Sequence, residues 1–234
     1  MTKIYTVIAA GGLGKRLLNF RKNDATKMLL QINGEAMITH QLKQLISWGL
    51  DNFIIITNPN FDDLIKNEVC KNFPNQNIEY VIQDEQLGVA HALLQANEKV
   101  EKNSKVFYIL GDNFFEFNPI LDTNYESEKP TVFLMEVENP QEFGVVELAN
   151  NNILSFEEKP KLPKSNLIAV GFYFLDGNCF EYIKSIEPSS RGEYEITSLL
   201  TRYLNIDNLS YQIINGWWID AGTPEAVEKY ESLI

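Results

Sequence analysis

A cluster of glycines and basic residues directly follows the first apolar run of the chain. Residues 9–17 read AAGGLGKRL, and Lys27 follows ten positions later. Glycines allow a tight turn in which backbone N–H groups approach an oxyanion, and Lys15 and Arg16 add positive charge at the same place. A glycine-rich segment alone would equally fit a plain structural turn. The three cations together favour a site for a triphosphate.

Two familiar phosphate-binding motifs do not fit this segment. A dinucleotide fingerprint needs a third glycine three residues beyond Gly14, where Leu17 stands. A P-loop ending in Gly14-Lys15 needs glycine at Ala9 and serine or threonine at Arg16. Since no hydride-transfer constellation is visible either, the sequence disfavours an NAD-dependent dehydrogenase.

Two aspartates stand where short apolar runs end. Asp112 follows the run Val106–Gly111, and Asp220 interrupts the segment WWIDAGTP at 217–224. Ligands of parallel α/β sheets bind at the carboxyl ends of strands, where Asp112 is expected. In Mg²⁺ sites the protein commonly supplies two carboxylates, and substrate phosphates complete the coordination shell. Each aspartate alone is more often a turn former or helix cap, and spacing does not show that the two meet.

Strands alternating with helices would position these residues in the first half of the chain. Short apolar runs predict buried parallel strands, and apolar residues at helical spacing predict helices between them. The predicted strands are Ile4–Ala10, Phe53–Thr57, Ile78–Gln83 and Val106–Gly111, and the predicted helices are Ala36–Trp48 and Gly88–Val100. This alternation predicts an α/β fold with a Rossmann-like, mostly parallel mixed sheet and helices on both faces.

The second half of the chain is richer in strands. We predict strands at Thr131–Val137, Phe143–Leu148, Ile153–Phe156, Ala169–Leu175 and Tyr211–Ile214, a turn at Asn150–Asn152, and helices at Phe180–Ile186, Glu195–Leu204 and from Pro224. No flexible linker or internal repeat interrupts the chain. We therefore predict one domain over residues 1–234, with halves at 1–115 and 116–234.

The composition excludes several classes of protein. A net charge of −12 over 234 residues argues against a general nucleic-acid binder. Residues 1–27 nevertheless carry six basic residues against Asp24 alone, an excess suited to a small polyanion. Cys70 and Cys179 fit neither a zinc site nor a disulfide framework. Without a signal peptide or a run of about 20 apolar residues, we expect a cytoplasmic protein with no membrane partner.

Eight segments of the chain resemble the sugar-1-phosphate nucleotidyltransferases, above all the glucose-1-phosphate thymidylyltransferases. They are AAGGLGKRL at 9–17, TKMLL at 26–30, QDEQLGVAHAL at 83–93, GDN at 111–113, EFGVVEL at 142–148, EEKP at 157–160, RGEYEIT at 191–197 and WWIDAGT at 217–223. Each is a weak signal alone, and EEKP alone would fit a charged strand end before a proline turn. Their order and spacing, from Ile4 to about Pro224, are highly specific.

The resemblance implies a reaction, a cofactor and residue roles. A nucleoside triphosphate, dTTP first and UTP next, would react with glucose 1-phosphate to give a nucleotide sugar and pyrophosphate, with Mg²⁺ as cofactor. The nucleotide would be bound by Ala10, Gly11, Gly12, Gly14, Lys15, Arg16, Lys27, Gln83, Gly88 and Asp112. The sugar phosphate would be bound by Gly144, Glu158, Lys159, Val170, Arg191, Glu195 and Trp218. Asp112 and Asp220 would hold the metal, and Arg16, Lys27, Asp112, Lys159 and Asp220 would be catalytic. Residues 1–115 would then bind the nucleotide and residues 116–234 the sugar phosphate.

Departures from the family pattern leave the substrates open. Thr26-Lys27-Met28 stands where the family more often has Pro-Lys or Ser-Lys, often followed by Gln, while Gln83 suits a pyrimidine base. The chain also stops soon after Asp220, where longer members continue into a helical tail, so we expect regulation through that tail to be missing. The alternatives are a transferase for another base or sugar, and a non-catalytic nucleotide-sugar sensor. A homo-oligomer is left open.

Overall fold

The structure is a computed structural model that describes residues 2–17, 26–121, 125 and 129–234. Arg21, Lys22 and Asp24 of the basic segment lie outside the described residues, as does the side chain of Lys15. The strands are β1 (Ile4–Ala9), β2 (Gln31–Ile32), β3 (Glu35–Ala36), β4 (Phe53–Thr57), β5 (Ile78–Ile82), β6 (Lys105–Leu110), β7 (Asn113–Phe115), β8 (Thr131–Glu136), β9 (Gly144–Ala149), β10 (Asn152–Glu158), β11 (Leu167–Asp176), β12 (Ser210–Ile213) and β13 (Trp218–Asp220). The helices are α1 (Met37–Ser47), α2 (Asp62–Asn72), α3 (Val89–Leu94), α4 (Cys179–Ser185), α5 (Ile196–Asn205) and α6 (Pro224–Leu233), with 3₁₀ turns at Lys15–Leu17, Lys27–Leu29 and Pro140–Glu142.

One large sheet joins the two halves of the sequence. Strands β6, β1, β4 and β5 are parallel neighbours in that order. Strand β11 pairs antiparallel with β6 and also contacts β8 and β9, so the second half extends the same sheet. Strand β10 continues it beyond β9, and β12 lies parallel to β8. The predicted α/β class with a mixed sheet is confirmed.

The parallel strands read as continuous apolar runs because both of their faces are buried. Phe107 and Ile109 of β6 face one apolar cluster, whereas Val106 and Tyr108 face the other. Successive side chains of a strand point to opposite faces, so each strand contributes to both clusters. Fully burying such a side chain stabilises the fold by roughly 1.5–3 kcal/mol. The rigid sheet fixes the positions of the loops that follow its strands.

The helix prediction for residues 88–100 is too long, and one helix was not predicted. Helix α3 ends at Leu94, after which turns with shorter hydrogen-bond spacing, such as Gln95 N to Ala92 O at 3.0 Å, continue to about residue 100. Helix α2 is mostly polar and buries only Ile65 and Val69 among its apolar residues, which gives a weak periodic signal. No helix in the described ranges has both the length and the apolar character needed to cross a membrane.

Candidate active site

Two short strands bring Asp112 and Asp220 together, although 108 positions separate them in the sequence. Strands β7 and β13 pair antiparallel, with Asp220 opposite Asn113. The backbone N–H of Ala221 donates to the Asp112 carbonyl at 2.8 Å, which extends this pairing. The meeting of the two carboxylates, which spacing alone left open, thus follows from a two-stranded sheet at the end of β6.

The two carboxylates have opposite electrostatic environments. Burial alone would raise the pKa of Asp112, but the Lys27 ammonium, in ion-pair contact with its Oδ2, holds that pKa below its usual range. Burial, followed by the charge of Asp112, raises the pKa of Asp220 to about 7. Asp220 Oδ1 is buried and accepts no hydrogen bond from the described residues. A buried, unpartnered oxygen beside a second carboxylate suits a bound cation.

Arg16 lies close to the same carboxylate pair. A Cβ atom at Gly222 would lie 2.7 Å from Arg16 Nη2 and 2.8 Å from Asp220 Oδ1, so the glycine leaves the space that both groups occupy. On its other side, Arg16 Nη1 is 4.0 Å from Glu142 Oε2, and both of these side chains are exposed. The Arg16 charge also opposes the rise in the Asp220 pKa.

A cavity of about 270 Å³ opens at the carboxyl ends of β1, β5 and β6. Seven residues predicted from the sequence line it: Gly11, Gly12, Lys27, Gln83, Gly88, Asp112 and Asp220. Gly11 passes so close to β4 that a Cβ there would lie 3.0 Å from the Thr57 carbonyl oxygen, and Asn58 Nδ2 donates to the Gly11 carbonyl at 2.7 Å. The glycine turn is therefore fixed against the sheet, with its backbone along the cavity.

Gly88 closes the opposite wall of this cavity. Its φ of 110° lies in a region that residues with side chains rarely adopt. A Cβ there would lie 2.7 Å from the carbonyl oxygen and 2.8 Å from the nitrogen of Tyr194. Tyr194 in turn donates from its backbone N–H to Leu87 and accepts from Ala90, so the 193–194 segment is held against the start of α3.

Three described residues that were predicted to contact the nucleotide, Ala10, Gly14 and Arg16, do not line this cavity, and Arg16 lines the neighbouring one instead. Ala10 is fully buried, and its backbone N–H donates to Ile56 at 2.8 Å. Gly14 has a φ of 56°, and a Cβ there would come within 2.9 Å of the Lys27 stem.

A second cavity, of about 140 Å³, adjoins the first and shares Val89, Leu110 and Asp220 with it. The predicted residues Arg16, Gly144, Glu158, Lys159, Trp218 and Asp220 line it. Thr197 Oγ1 donates to Glu158 Oε2 at 3.2 Å, and Trp218 Nε1 donates to Asn113 Oδ1 at 2.8 Å. Glu158 and Trp218 are thus each held by a neighbouring side chain in the wall of the cavity.

Three predicted sugar-phosphate residues lie outside the lining of this second cavity. Val170 is fully buried in β11. The Arg191 guanidinium lies behind Glu158, with Nη1 3.5 Å from Glu158 Oε1 and 3.5 Å from Glu195 Oε1. Burial, followed by the charge of Glu195, raises the pKa of Glu158, and Lys159, Thr197 and Arg191 partly offset this rise.

Lys159 reaches the second cavity from an unusual backbone conformation. Its φ is 45°, and its N–H donates to the Phe143 carbonyl at 2.9 Å. The left-handed region is costly for a residue with a side chain, and Pro160 narrows the choice of conformations further. Strain of this kind persists where the surroundings enforce it, often at functional sites.

The two cavities meet at a junction that is able to hold two anionic ligands. Lys27 and Arg16 lie beside the carboxylate pair, and Lys159 lies in the second cavity. Among the described residues, no group of three or more His, Cys, Asp or Glu forms a metal site. A Mg²⁺ site needs only two carboxylates from the protein when phosphate oxygens and waters complete the coordination shell.

Several lining residues were missed by the sequence analysis. The first cavity also includes Gln86 and Glu193, and the second includes Asn113, Tyr173 and Thr197. Four of these five stand in segments already quoted for the family resemblance, so proximity to a motif was the available signal. Tyr173 lies in a continuous apolar strand and gave no such signal.

The chain is similar to proteins of known family over nearly its whole length. The nucleotidyl transferase family matches residues 5–233. The glucose-1-phosphate thymidylyltransferase of Neisseria meningitidis is 34% identical over 236 residues, which covers 97% of this chain and 81% of the relative. A Bacillus anthracis protein assigned as a glucose-1-phosphate thymidylyltransferase, crystallised with sucrose, is 33% identical with a TM-score of 0.87, covering 98% of this chain and 94% of the other.

A more distant structure shares the fold alone. A UDP-glucose pyrophosphorylase crystallised with UDP-glucose has a TM-score of 0.84 at 21% identity, covering 100% of this chain and 98% of the other. The resemblance stated from the sequence motifs is thereby confirmed at the level of the family. With the family match spanning residues 5–233 and a relative at 34% identity, the chain belongs to the nucleotidyl transferase family.

Proposed function

We propose that this chain transfers a thymidylyl group from dTTP to glucose 1-phosphate. The observation that carries the proposal is the junction of two cavities at Asp112 and Asp220, with cations on both sides. The larger cavity would take the nucleotide and the smaller one the sugar phosphate. The names of the relatives in Neisseria and Bacillus support this choice of substrates.

In this reaction a phosphate oxygen of glucose 1-phosphate attacks the α-phosphorus of dTTP. A new P–O bond forms, the bond to the β-phosphate oxygen breaks, and pyrophosphate leaves. Both reactants are anions, so positioning and charge neutralisation are the main requirements. Lys27 and Arg16 would bind the triphosphate, and Lys159 would hold the attacking phosphate. Glu158 would accept hydrogen bonds from sugar hydroxyls.

Asp112 and Asp220 would hold Mg²⁺ at the junction. The fit rests on the buried, unpartnered Oδ1 of Asp220 and on the neighbouring Asp112 carboxylate. When bound, the metal would neutralise charge on the phosphates. The two aspartates orient their oxygens towards one place because β7 and β13 pair directly beside them.

Pyrophosphate release tests this proposal. The purified chain is assayed with Mg²⁺, glucose 1-phosphate and dTTP, UTP, CTP, GTP or ATP in parallel. We expect release with dTTP above all, its loss in Asp112→Asn, and its retention in Asp63→Asn, which changes an exposed carboxylate of α2. Release with another triphosphate alone would contradict the assignment of the base.

The same assay separates a sensor from an enzyme. If no triphosphate gives pyrophosphate, the panel is repeated with galactose, mannose and N-acetylglucosamine 1-phosphates. Turnover with one of these would correct the sugar. Tight nucleotide binding without turnover in any combination would support a non-catalytic sensor instead.

A further inference from the structure

We propose that His91 is a positioning residue that fixes the side-chain amide of Gln83. In this arrangement the Gln83 oxygen faces the nucleotide base and selects a base that carries an N–H on the edge facing it. Thymine and uracil carry such an N–H, whereas cytosine presents a bare ring nitrogen there. The inference rests on the proposed role of the larger cavity as the nucleotide site. The inference identifies the atoms of that cavity that form hydrogen bonds with the base.

The Gln83 amide is held on its nitrogen side. Gln83 is 3% exposed, lines the larger cavity and follows the last residue of β5. Its Nε2 lies 3.4 Å from the Gly88 carbonyl oxygen and 3.1 Å from His91 Nδ1. A carbonyl oxygen only accepts hydrogen bonds, so the amide nitrogen, and not its oxygen, must face Gly88. The Gly88 carbonyl thus sets the orientation independently of the histidine.

This orientation determines the tautomer of His91. Because Gln83 Nε2 is a donor, His91 Nδ1 must accept, and the imidazole proton must lie on Nε2. The ring is held from the other side by Tyr194, with the ring centroids 6.0 Å apart and the planes at 29°. Gln95 Nε2 also lies 3.3 Å from His91 Nε2, a contact that taken alone favours the opposite tautomer, but this amide already donates to the His91 backbone carbonyl at 3.0 Å. The shorter contact from the buried Gln83 amide therefore sets the tautomer in this proposal.

The oxygen of the Gln83 amide is then left for the ligand. No described residue donates a hydrogen bond to Gln83 Oε1, and the residue lines the cavity. An acceptor at this position pairs with the N–H of thymine or uracil and opposes the lone pair of cytosine. A wrong partner would leave buried polar groups unpaired, which is how a site of this kind discriminates.

Nitrogen NMR tests the tautomer directly. The chain contains only two histidines, so a ¹⁵N-histidine-labelled sample gives two imidazole systems, and His91→Gln assigns the spectrum. In the neutral imidazole we expect His91 to carry its proton on Nε2, with a bare Nδ1. A proton on Nδ1 would overturn the proposal, since Gln83 would then have to present its nitrogen to the base.

Nucleotide binding tests the consequence for the base. Dissociation constants for dUTP and dCTP, measured by calorimetry with Mg²⁺, differ only through the base edge. We expect the wild-type preference for dUTP to fall about fivefold or more in His91→Leu, which corresponds to one lost hydrogen bond. His91→Gln keeps an acceptor and should keep most of the preference. Adding Gln83→Leu to His91→Leu should give little further loss, because the two residues act through one amide.

A purely structural role for His91 predicts a different result. In that case His91→Leu would weaken dUTP and dCTP equally and leave their ratio unchanged, which would contradict the proposal. A different result is expected if the proposed function is wrong and the role of His91 is right. The protein would then bind dUTP more tightly than dCTP but release no pyrophosphate from any triphosphate.

Discussion

Lys27 forms an ion pair with Asp112, whereas no cation among the described residues forms an ion pair with Asp220. Replacing Asp112 by Asn removes the partner of an ammonium whose side chain is 15% exposed. Breaking such a mostly buried pair costs about 3 kcal/mol. Replacing Asp220 by Asn instead removes a buried like charge. In the metal-free protein we therefore expect Asp112→Asn to lower the free energy of unfolding and Asp220→Asn to raise it, although both abolish turnover.

Chemical denaturation in the presence of a chelator measures both changes. Asp63→Asn is the matched control, because Asp63 is an exposed aspartate of α2. Equal destabilisation by both substitutions would mean that Asp220 is stabilised by its surroundings, contrary to the raised pKa of its carboxyl group.

We expect the Glu158 carboxylate to lower the stability of the fold while it contributes to binding of the sugar phosphate. Its pKa is raised by burial and by Glu195, so its stabilising contribution is greatest where it is protonated and is lost as the pH rises through its folded pKa. Glu158→Gln does not titrate, so its melting temperature should rise relative to wild type between pH 5 and pH 8. Its kcat/KM for glucose 1-phosphate should fall roughly 10- to 100-fold, as for a lost charged hydrogen bond.

The exposed neighbour Glu157 provides the control for this prediction. Glu157→Gln should change neither the pH dependence of melting nor kcat/KM appreciably. A Glu158→Gln protein that becomes less stable relative to wild type at pH 8 would show that Lys159, Thr197 and Arg191 outweigh the burial of the carboxylate.

At the residue scale, the sequence predicted chemical types better than positions. Five charged residues around the junction were identified from motifs, and the structure brings Arg16, Asp112 and Asp220 close together. It also sets Arg191 behind Glu158 and leaves Val170 buried, which no spacing rule indicates. The approach of Asp112 to Asp220 depends on strand pairing across more than 100 positions, and the position of Arg191 depends on a loop that packs against β10, neither of which a local pattern indicates.

At the scale of elements, the turn from β5 into α3 depends on a single glycine. Gly88→Ala would force a side chain into a φ of 110° and against the backbone of Tyr194, at a combined cost of about 3 kcal/mol. Because Gly88 lines the larger cavity, we also expect a higher KM for dTTP. Gly49→Ala is matched in its positive φ of 81° but meets nothing within 4 Å, so it should cost about 1 kcal/mol and leave KM unchanged.

Thermal melts and triphosphate titrations of the two variants make the comparison. A similar loss of stability in both would show that the backbone conformation dominates and that the contact with Tyr194 is readily relieved. An unchanged KM in Gly88→Ala would remove the support for this turn as part of the nucleotide site.

The elements that were predicted well are those with a strong local signal. Strand β4 is predicted to the residue, and β1 and β6 within one residue at each end, because buried parallel strands are continuous apolar runs. Strand β7 and the hairpin of β2 and β3 are too short to give a periodic pattern. The pairing of β7 with β13, which forms the junction, is the least local feature of the fold and was not predicted.

At the scale of the whole molecule, strand β11 connects the two predicted halves. It pairs with β6 along five residues and packs its side chains into both apolar clusters. The candidate site also lies across the division at residues 115 and 116, since Asp112 and Asp220 come from opposite sides of it. A shared sheet and a shared site argue that neither half has a core of its own.

We therefore expect the two halves to unfold in one transition. Trp48 reports on the first half and Trp217 and Trp218 on the second, so Trp48→Phe and the double variant Trp217→Phe/Trp218→Phe each isolate one fluorescence signal. In urea, both signals and the far-ultraviolet circular dichroism should share one midpoint. Adding dTTP with Mg²⁺ should shift all three together, because a ligand that binds the folded state stabilises the whole cooperative unit. Two midpoints, with the ligand moving only the Trp48 signal, would mean that residues 1–115 fold independently.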